Sequence, residues 1–204
     1  ISNGTTLFDS GSLDASVATG SLTHIKTLTA SSSSTLSFVN GASSVVLDNT
    51  YKEYVFKFYD IHPSNASTRF QFNGSIDTGS NYNVTKQTSM FIAANRETAT
   101  DNSFSYQPND DLGNSTAFQD LAGFGDANDD NDASLSGTLQ LFDIANTTFV
   151  KHFIARTNYM TTGPYPVDTF TGGYFNTTSA LDAFQFKFTS NNIAAGTIKL
   201  YGVK

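Results

Sequence analysis

Cysteine is absent from this 204-residue chain, and so is tryptophan. Without thiols there is no disulfide framework, no thiolate nucleophile and no sulfur-ligated metal. Small secreted domains often carry disulfides, so their absence fits assembly in a reducing cytoplasm better. Charge is also scarce: Asp, Glu, Lys and Arg make up 14% of the residues, against roughly 25% in ordinary soluble domains. What charge there is leans acidic, 11 basic groups against 18 acidic ones and a net −7. No basic run occurs, and nucleic-acid phosphates need clustered Lys and Arg, so no nucleic-acid partner is expected. No apolar stretch approaches the roughly 18 residues of a membrane span, so no membrane insertion is expected. Residues 1–20 have neither a basic n-region nor an apolar h-segment and do not read as a signal peptide.

What the chain has is aromatic alternation. It holds 18 Phe and 9 Tyr, and Phe buries a large apolar area while favouring strands, so a core can be built with little Leu. Phe184, Phe186 and Phe188 alternate with Gln185 and Lys187, the period-2 pattern of a half-buried strand. A polar turn follows, and a second alternating run from Gly196 reaches Lys204. Further strands are expected at 22–29, 35–39, 51–61, 68–73, 82–85, 89–94, 135–144, 149–157 and 170–176. Asn40-Gly41 and Asn73-Gly74 supply tight-turn dipeptides. Tyr54, Phe56 and Phe58 oppose Val55 and Tyr59, so both faces of 51–61 are apolar and that strand is central. Residues 96–132 are long, polar and poor in alternation, a loop of functional length. One short helix over 115–122 is expected within it, from the spacing of Phe118, Leu121 and Ala122. Together these point to an all-β fold: a jelly-roll-like β-sandwich of about eight to ten strands over 21–204, preceded by an extended N-terminal arm over 1–20.

Catalytic chemistry is hard to assemble from these residues. His24, His62 and His152 stand in no H-x-H or H-x-x-x-H pattern, so a zinc site lacks local support. G-x-S-x-G is missing, and no Ser/His/Asp trio stands out. Glu occurs twice, at Glu53 and Glu97, which leaves little for the paired carboxylates of glycoside hydrolysis. Asp126, Asn128, Asp130 and Asp132 share the i, i+2, i+4, i+6 spacing of a calcium loop. Asn131 replaces the turn glycine and Gly137 replaces the closing Glu, so a solvated turn is the expected outcome. Seven N-x-S/T sequons, at Asn3, Asn65, Asn73, Asn83, Asn114, Asn146 and Asn176, follow from the Ser/Thr-rich composition. Tyr159, Tyr165 and Tyr174, near Gly163-Pro164 and Gly172-Gly173, could form an aromatic loop cluster for stacking on sugars. No catalytic, cofactor-binding or metal-ligating residue is assigned, no cofactor is expected, and the chain is read as not an enzyme.

Several ordered segments carry a resemblance. They are Thr27–Phe38; Leu47–Phe58 with the following Ile61-His62-Pro63; Gly79–Thr85; Ser134–Phe142; and the closing Gly196-Thr197-Ile198-Lys199-Leu200-Tyr201-Gly202. Across residues 21–204 the set resembles a group of tailed-bacteriophage virion proteins of the marine, cyanophage type. The resemblance implies a non-enzymatic structural component of the particle exterior, a capsid decoration or tail appendage, assembled in the bacterial host cytoplasm. It implies docking on other capsid or tail proteins and homo-oligomerisation, with a trimer expected. A carbohydrate- or host-receptor-binding module at a fibre tip, contacting host-surface glycan, is the alternative. The resemblance carries no catalytic motif.

Overall fold

The computed structural model describes residues 8–9, 12–13, 21–98, 101–163 and 165–204. In chain order the strands are β1 (Phe8–Asp9), β2 (Ser12–Leu13), β3 (Leu22–Thr29), β4 (Leu36–Val39), β5 (Glu53–Pro63), β6 (Phe70–Ser75) and β7 (Lys86–Asn95). Then come β8 (Asn102–Tyr106), β9 (Gln119–Asp120), β10 (Leu135–Phe142), β11 (Lys151–Met160), β12 (Pro166–Phe175), β13 (Ala183–Phe188) and β14 (Ile193–Val203). Two antiparallel sheets form, an eight-stranded one in the order β3-β14-β5-β10-β11-β12-β7-β8 and a four-stranded one in the order β4-β13-β6-β9. The expected arm lies outside the described residues apart from β1 and β2, which pair Phe8 with Leu13 and Asp9 with Ser12.

The pairing explains the connectivity. β3 pairs with β14, β4 with β13, β5 with β10 and β6 with β9. First meets last and second meets second-to-last, so these strands form one long antiparallel ribbon. Wrapping it brings β14 against β5 and β13 against β6, which is the double Greek key of a jelly roll. Two hairpin-like insertions, β7–β8 at the tip of the ribbon and β11–β12 in its returning arm, extend the larger sheet beyond β10.

Between the sheets lies a core of Phe rings. Phe184, Phe186 and Phe188 all face inward from β13, as their alternation predicts. Phe186 sits at the centre, with ring centroids of Phe56, Phe58 and Phe38 at 4.9, 5.3 and 6.2 Å in edge-on contact and Phe70 stacked at 6.0 Å. Edge-to-face packing of this kind adds to the burial energy of each ring. β5 is central, as its two apolar faces require, with Tyr54, Phe56 and Phe58 buried.

The inner face of the inserted strands is covered differently. β7 turns Lys86, Thr88, Met90, Ile92 and Ala94 inward, and β11 turns Lys151, Phe153, Ala155, Thr157 and Tyr159 inward, so this face mixes polar and apolar groups. Its buried hydroxyls need hydrogen-bond partners, and the polar segment after β8 provides them for Thr88 and Thr157. Leu121 N–H donates to Phe70 O at 2.7 Å, Ala127 N–H to Thr68 O at 2.9 Å, and Thr157 Oγ1 to Leu121 O. Thr88 Oγ1 donates to Gln119 Oε1 at 2.6 Å, and Gln119 Nε2 donates onward to the carbonyls of Asp110 and Asp120. Arg69 of the strand-entry turn clamps the cover through Asp110 (2.5 Å), Asp120 (3.2 Å) and Asp126 (3.5 Å). Burial lifts the pKa of Asp110 and of Asp120, and Arg69 offsets this only in part. Lys86 is fully buried, its ammonium held by Asn73 Oδ1 (2.6 Å) and Val84 O (3.0 Å), and burial depresses its pKa to about 7.

Four expectations are corrected here. There is no α-helix over 115–122; Gln119–Asp120 is strand β9, because the backbone there bonds to β6 instead of to itself. Residues 82–85 are not a strand, since pairing with β12 begins only at Lys86. The long polar segment contains β8, which the sequence reading missed, and the rest of it is packed cover instead of a free loop. With β8 and β9 added, the sandwich exceeds the expected strand number.

Candidate functional site

Strict alternation on β11, β12 and β7 sends every second side chain to the outer face of the larger sheet, which no second layer covers among the described residues. The antiparallel register aligns these outward groups in rows across the strands. Arg156, Phe170, Phe91 and Tyr106 make one row. Ile154, Gly172 and Ser89 make the next, and His152, Tyr174 and Gln87 the third.

The first row is a stacked ridge. Phe170 and Phe91 lie parallel, centroids 4.7 Å apart with planes within 6°. Phe104, opposite Ala93, leans on Phe91 at 5.7 Å and is 78% exposed. At the other end the Arg156 guanidinium covers Phe170 at 4.8 Å and makes a bidentate pair with Asp168, Nε to Oδ1 at 3.1 Å and Nη2 to Oδ2 at 2.6 Å. The third row is a lower, polar ridge in which His152 meets the Tyr174 ring edge-on at 5.9 Å.

Between the ridges runs a trough of ≈ 660 Å³, floored by Gly172 and Ser89 and flanked by Ile154, His152, Tyr174 and Tyr106. Gly172 sets its depth: a Cβ there would meet nothing within 4 Å, so any side chain at this position would stand in the trough. The chemistry offered is a shallow floor of one glycine and one serine, the Tyr106 ring on one side, and phenol, amide and imidazole groups on the other. That combination suits orientation-specific binding by hydrogen bonds and apolar contact.

The sequence candidates are scattered. Of the three histidines only His152 enters the trough; His24 bonds Thr27 Oγ1 at 2.8 Å on β3, and His62 Nδ1 bonds Ala133 O at 2.7 Å. Glu53 accepts from Gln140 Nε2 at 3.2 Å at the start of β5, and Glu97 follows β7. The acidic loop does not converge on a common point. Asp126 faces Arg69, while Asn128 Nδ2 donates to Asp130 Oδ2 at 2.8 Å and Asp130 N–H returns to Asn128 Oδ1. No group of three His, Asp or Glu side chains is poised to share a metal among the described residues.

The expected tyrosine cluster is split. Tyr159 is buried, its hydroxyl donating to Phe124 O at 2.6 Å and accepting from Phe124 N–H at 2.8 Å, and burial raises its pKa. Tyr165 packs edge-on against Phe124 at 6.0 Å under the Arg96 guanidinium. Only Tyr174 reaches the trough. Among the sequons, Asn73 is fully buried, with Nδ2 bonded to Tyr82 O (2.8 Å) and Thr116 O (3.0 Å), so the folded chain cannot carry a glycan there.

Phe91, Phe104 and Ile154 were not singled out by the sequence reading. The available signal was large apolar residues in the outward slots of otherwise alternating strands. Comparison with protein-family models, with curated proteins and with solved structures gave no match.

Proposed function

We propose that this chain is a non-enzymatic structural module on the exterior of a tailed-phage particle, which docks on other capsid or tail proteins through the outer face of its larger sheet. The observation that carries this reading is the exposed ridge of Phe170, Phe91 and Phe104 on the inserted strands. Contiguous apolar groups on a solvent-facing sheet favour a partner surface over water. The ordered segments quoted above support the particle, and the jelly-roll connectivity supports it by fold analogy alone, because that architecture also serves lectin domains. Antibody labelling of intact particles under the electron microscope tests the reading. Label on the capsid or tail is expected; particles that stay unlabelled while the cell lysate reacts would overturn it.

A second reading, saccharide recognition at a fibre tip, is favoured by the trough itself. Gly172, Ser89, Gln87 and Tyr174 line an open space of ≈ 660 Å³ in which hydroxyl and amide groups stand beside aromatic and aliphatic side chains. A Cβ at Gly172 would meet nothing within 4 Å, so Gly172→Leu sets a side chain into the floor of the trough. Binding to host-surface polysaccharide that Gly172→Leu abolishes would favour this reading, and equal binding by both proteins would exclude the trough.

A further inference from the structure

The outer edge of the larger sheet ends in β8, and its backbone is phased for a partner strand. In an antiparallel ladder alternate residues turn both N–H and C=O towards the neighbour, and those between turn both away. Arg96 N–H donates to Asp101 O at 2.8 Å and Gln107 N–H to Met90 O at 2.9 Å. With Ser103 opposite Ala94 and Ser105 opposite Ile92, the odd-numbered residues therefore face β7. Asn102, Phe104 and Tyr106 point their main-chain donors and acceptors away from it, and β8 pairs with β7 alone among the described residues.

The other sheet edges carry the usual protections against strand addition, namely charge, bulges and short length. β3 bears His24 and Lys26 and is bulged against β14 between Leu200 and Tyr201. β9 is two residues long, and β4 is four residues long with Leu36 and Phe38 buried. β8, by contrast, is Asn-Ser-Phe-Ser-Tyr, with no charge and no proline, and it holds the two most exposed rings of the ridge, Phe104 at 78% and Tyr106 at 58%. The turn after it sends Asp110 inward to Arg69, while Asp111 accepts from the Tyr106 hydroxyl, and no described strand pairs with the far side of β8.

We propose that β8 pairs antiparallel with β8 of a second copy of this chain, about a two-fold axis through Phe104. The free groups are symmetric about that residue. Phe104 exchanges hydrogen bonds with its own copy, and Asn102 exchanges them with Tyr106 of the partner subunit, about six bonds in all. The pairing places no like charges opposite one another, since Asp101 falls across from the uncharged Gln107 position and is already held by Arg96 at 3.2 Å. Phe104 meets its copy on the outer face, joining the two aromatic ridges into one surface. A two-fold contact of identical patches is closed and yields a dimer, not the trimer expected from the sequence. The inference concerns self-association only and stands or falls independently of the particle reading.

The test is molar mass by sedimentation equilibrium on the full chain. A contact this small lies at the weak end of specific interfaces, so the range is about 5 to 200 µM. The chain is 22.0 kDa, and a concentration-dependent shift to twice that mass is expected. Phe104→Lys sets two ammonium groups against each other at the axis. Phe104→Pro removes an N–H that β7 does not use. Both are expected to remain monomeric at every concentration while keeping the wild-type circular dichroism spectrum. Phe149→Lys, at an exposed ring outside the ridge, should dimerise as wild type does. A wild-type chain that stays monomeric throughout, a trimer, or a dimer that survives both Phe104 substitutions would overturn the proposal.

Discussion

Lys86 gives the sharpest quantitative handle on the fold. Its ammonium is buried against two neutral acceptors and 5.5 Å from the Phe175 ring centroid, with no carboxylate in an ion pair among the described residues. Its folded pKa is depressed to about 7 from an ordinary 10.5. The unfolded chain therefore binds more protons than the folded one between these values, and stability must rise with pH across that window. Working the two titrations through, the cost of the buried charge falls by about 3 kcal/mol between pH 7 and pH 9.5. Below pH 7 the cost levels off. Lys151, also depressed by burial, adds a smaller change of the same sign. Tyrosines raised by burial titrate the other way but only near pH 10 and above. Urea unfolding at half-unit pH steps from 7 to 9.5 measures this directly. The Lys86→Met chain, lacking the ammonium, should lose most of the slope whatever its absolute stability. A wild-type curve that is flat or falls over this range, or a Lys86→Met curve with the wild-type slope, would refute the reasoning.

Three further outcomes follow from the packing. Phe186→Ala removes the ring at the centre of the Phe core and should cost about 3–5 kcal/mol in urea unfolding. Arg69→Met leaves Asp110 and Asp120 buried without their cation and should cost about 3 kcal/mol at pH 7. Because burial already raises both carboxyl pKa values, and their stabilising effect when protonated is lost as pH rises, this deficit should shrink on acidification to pH 5; a deficit that grows would contradict the account. Gly202→Ala would place a Cβ 2.3 Å from the Tyr51 ring, so it should lower the melting temperature by several degrees, on the order of 1–2 kcal/mol.

The most legible strand has one face buried along its whole length. The Phe184–Phe188 run was expected with almost its observed limits, because period-2 alternation there reports one-sided burial directly. Leu22–Thr29, by contrast, also expected at its observed limits, has only half-buried and exposed residues. β8 was illegible because its apolar residues face outward and its inward ones are Ser103 and Ser105, which reverses the usual signal. The false helix at 115–122 came from Phe118, Leu121 and Ala122 meeting a helical spacing by accident. Leu121 is buried against β6 while Phe118 lies half-exposed beneath the Lys187 ammonium at 4.3 Å. The trough was beyond reach for a different reason. Alternation tells that His152, Ile154 and Arg156 share a face, but the adjacency of β11, β12, β7 and β8 is set by pairing between segments far apart in sequence. Proximity along the chain grouped Tyr159 with Tyr165 and Tyr174, and strand direction separated them.

The central claim is that the outer face of the inserted strands is the contact surface. Carbene footprinting of the isolated chain against the same chain in intact particles tests it most directly. The account predicts loss of labelling at Phe91, Phe104, Ile154 and Tyr174, with the outward residues of the smaller sheet, Gln185 and Lys187, labelled equally in both. Protection confined to the smaller sheet, with the aromatic ridge labelled as fully as in the free chain, would contradict it.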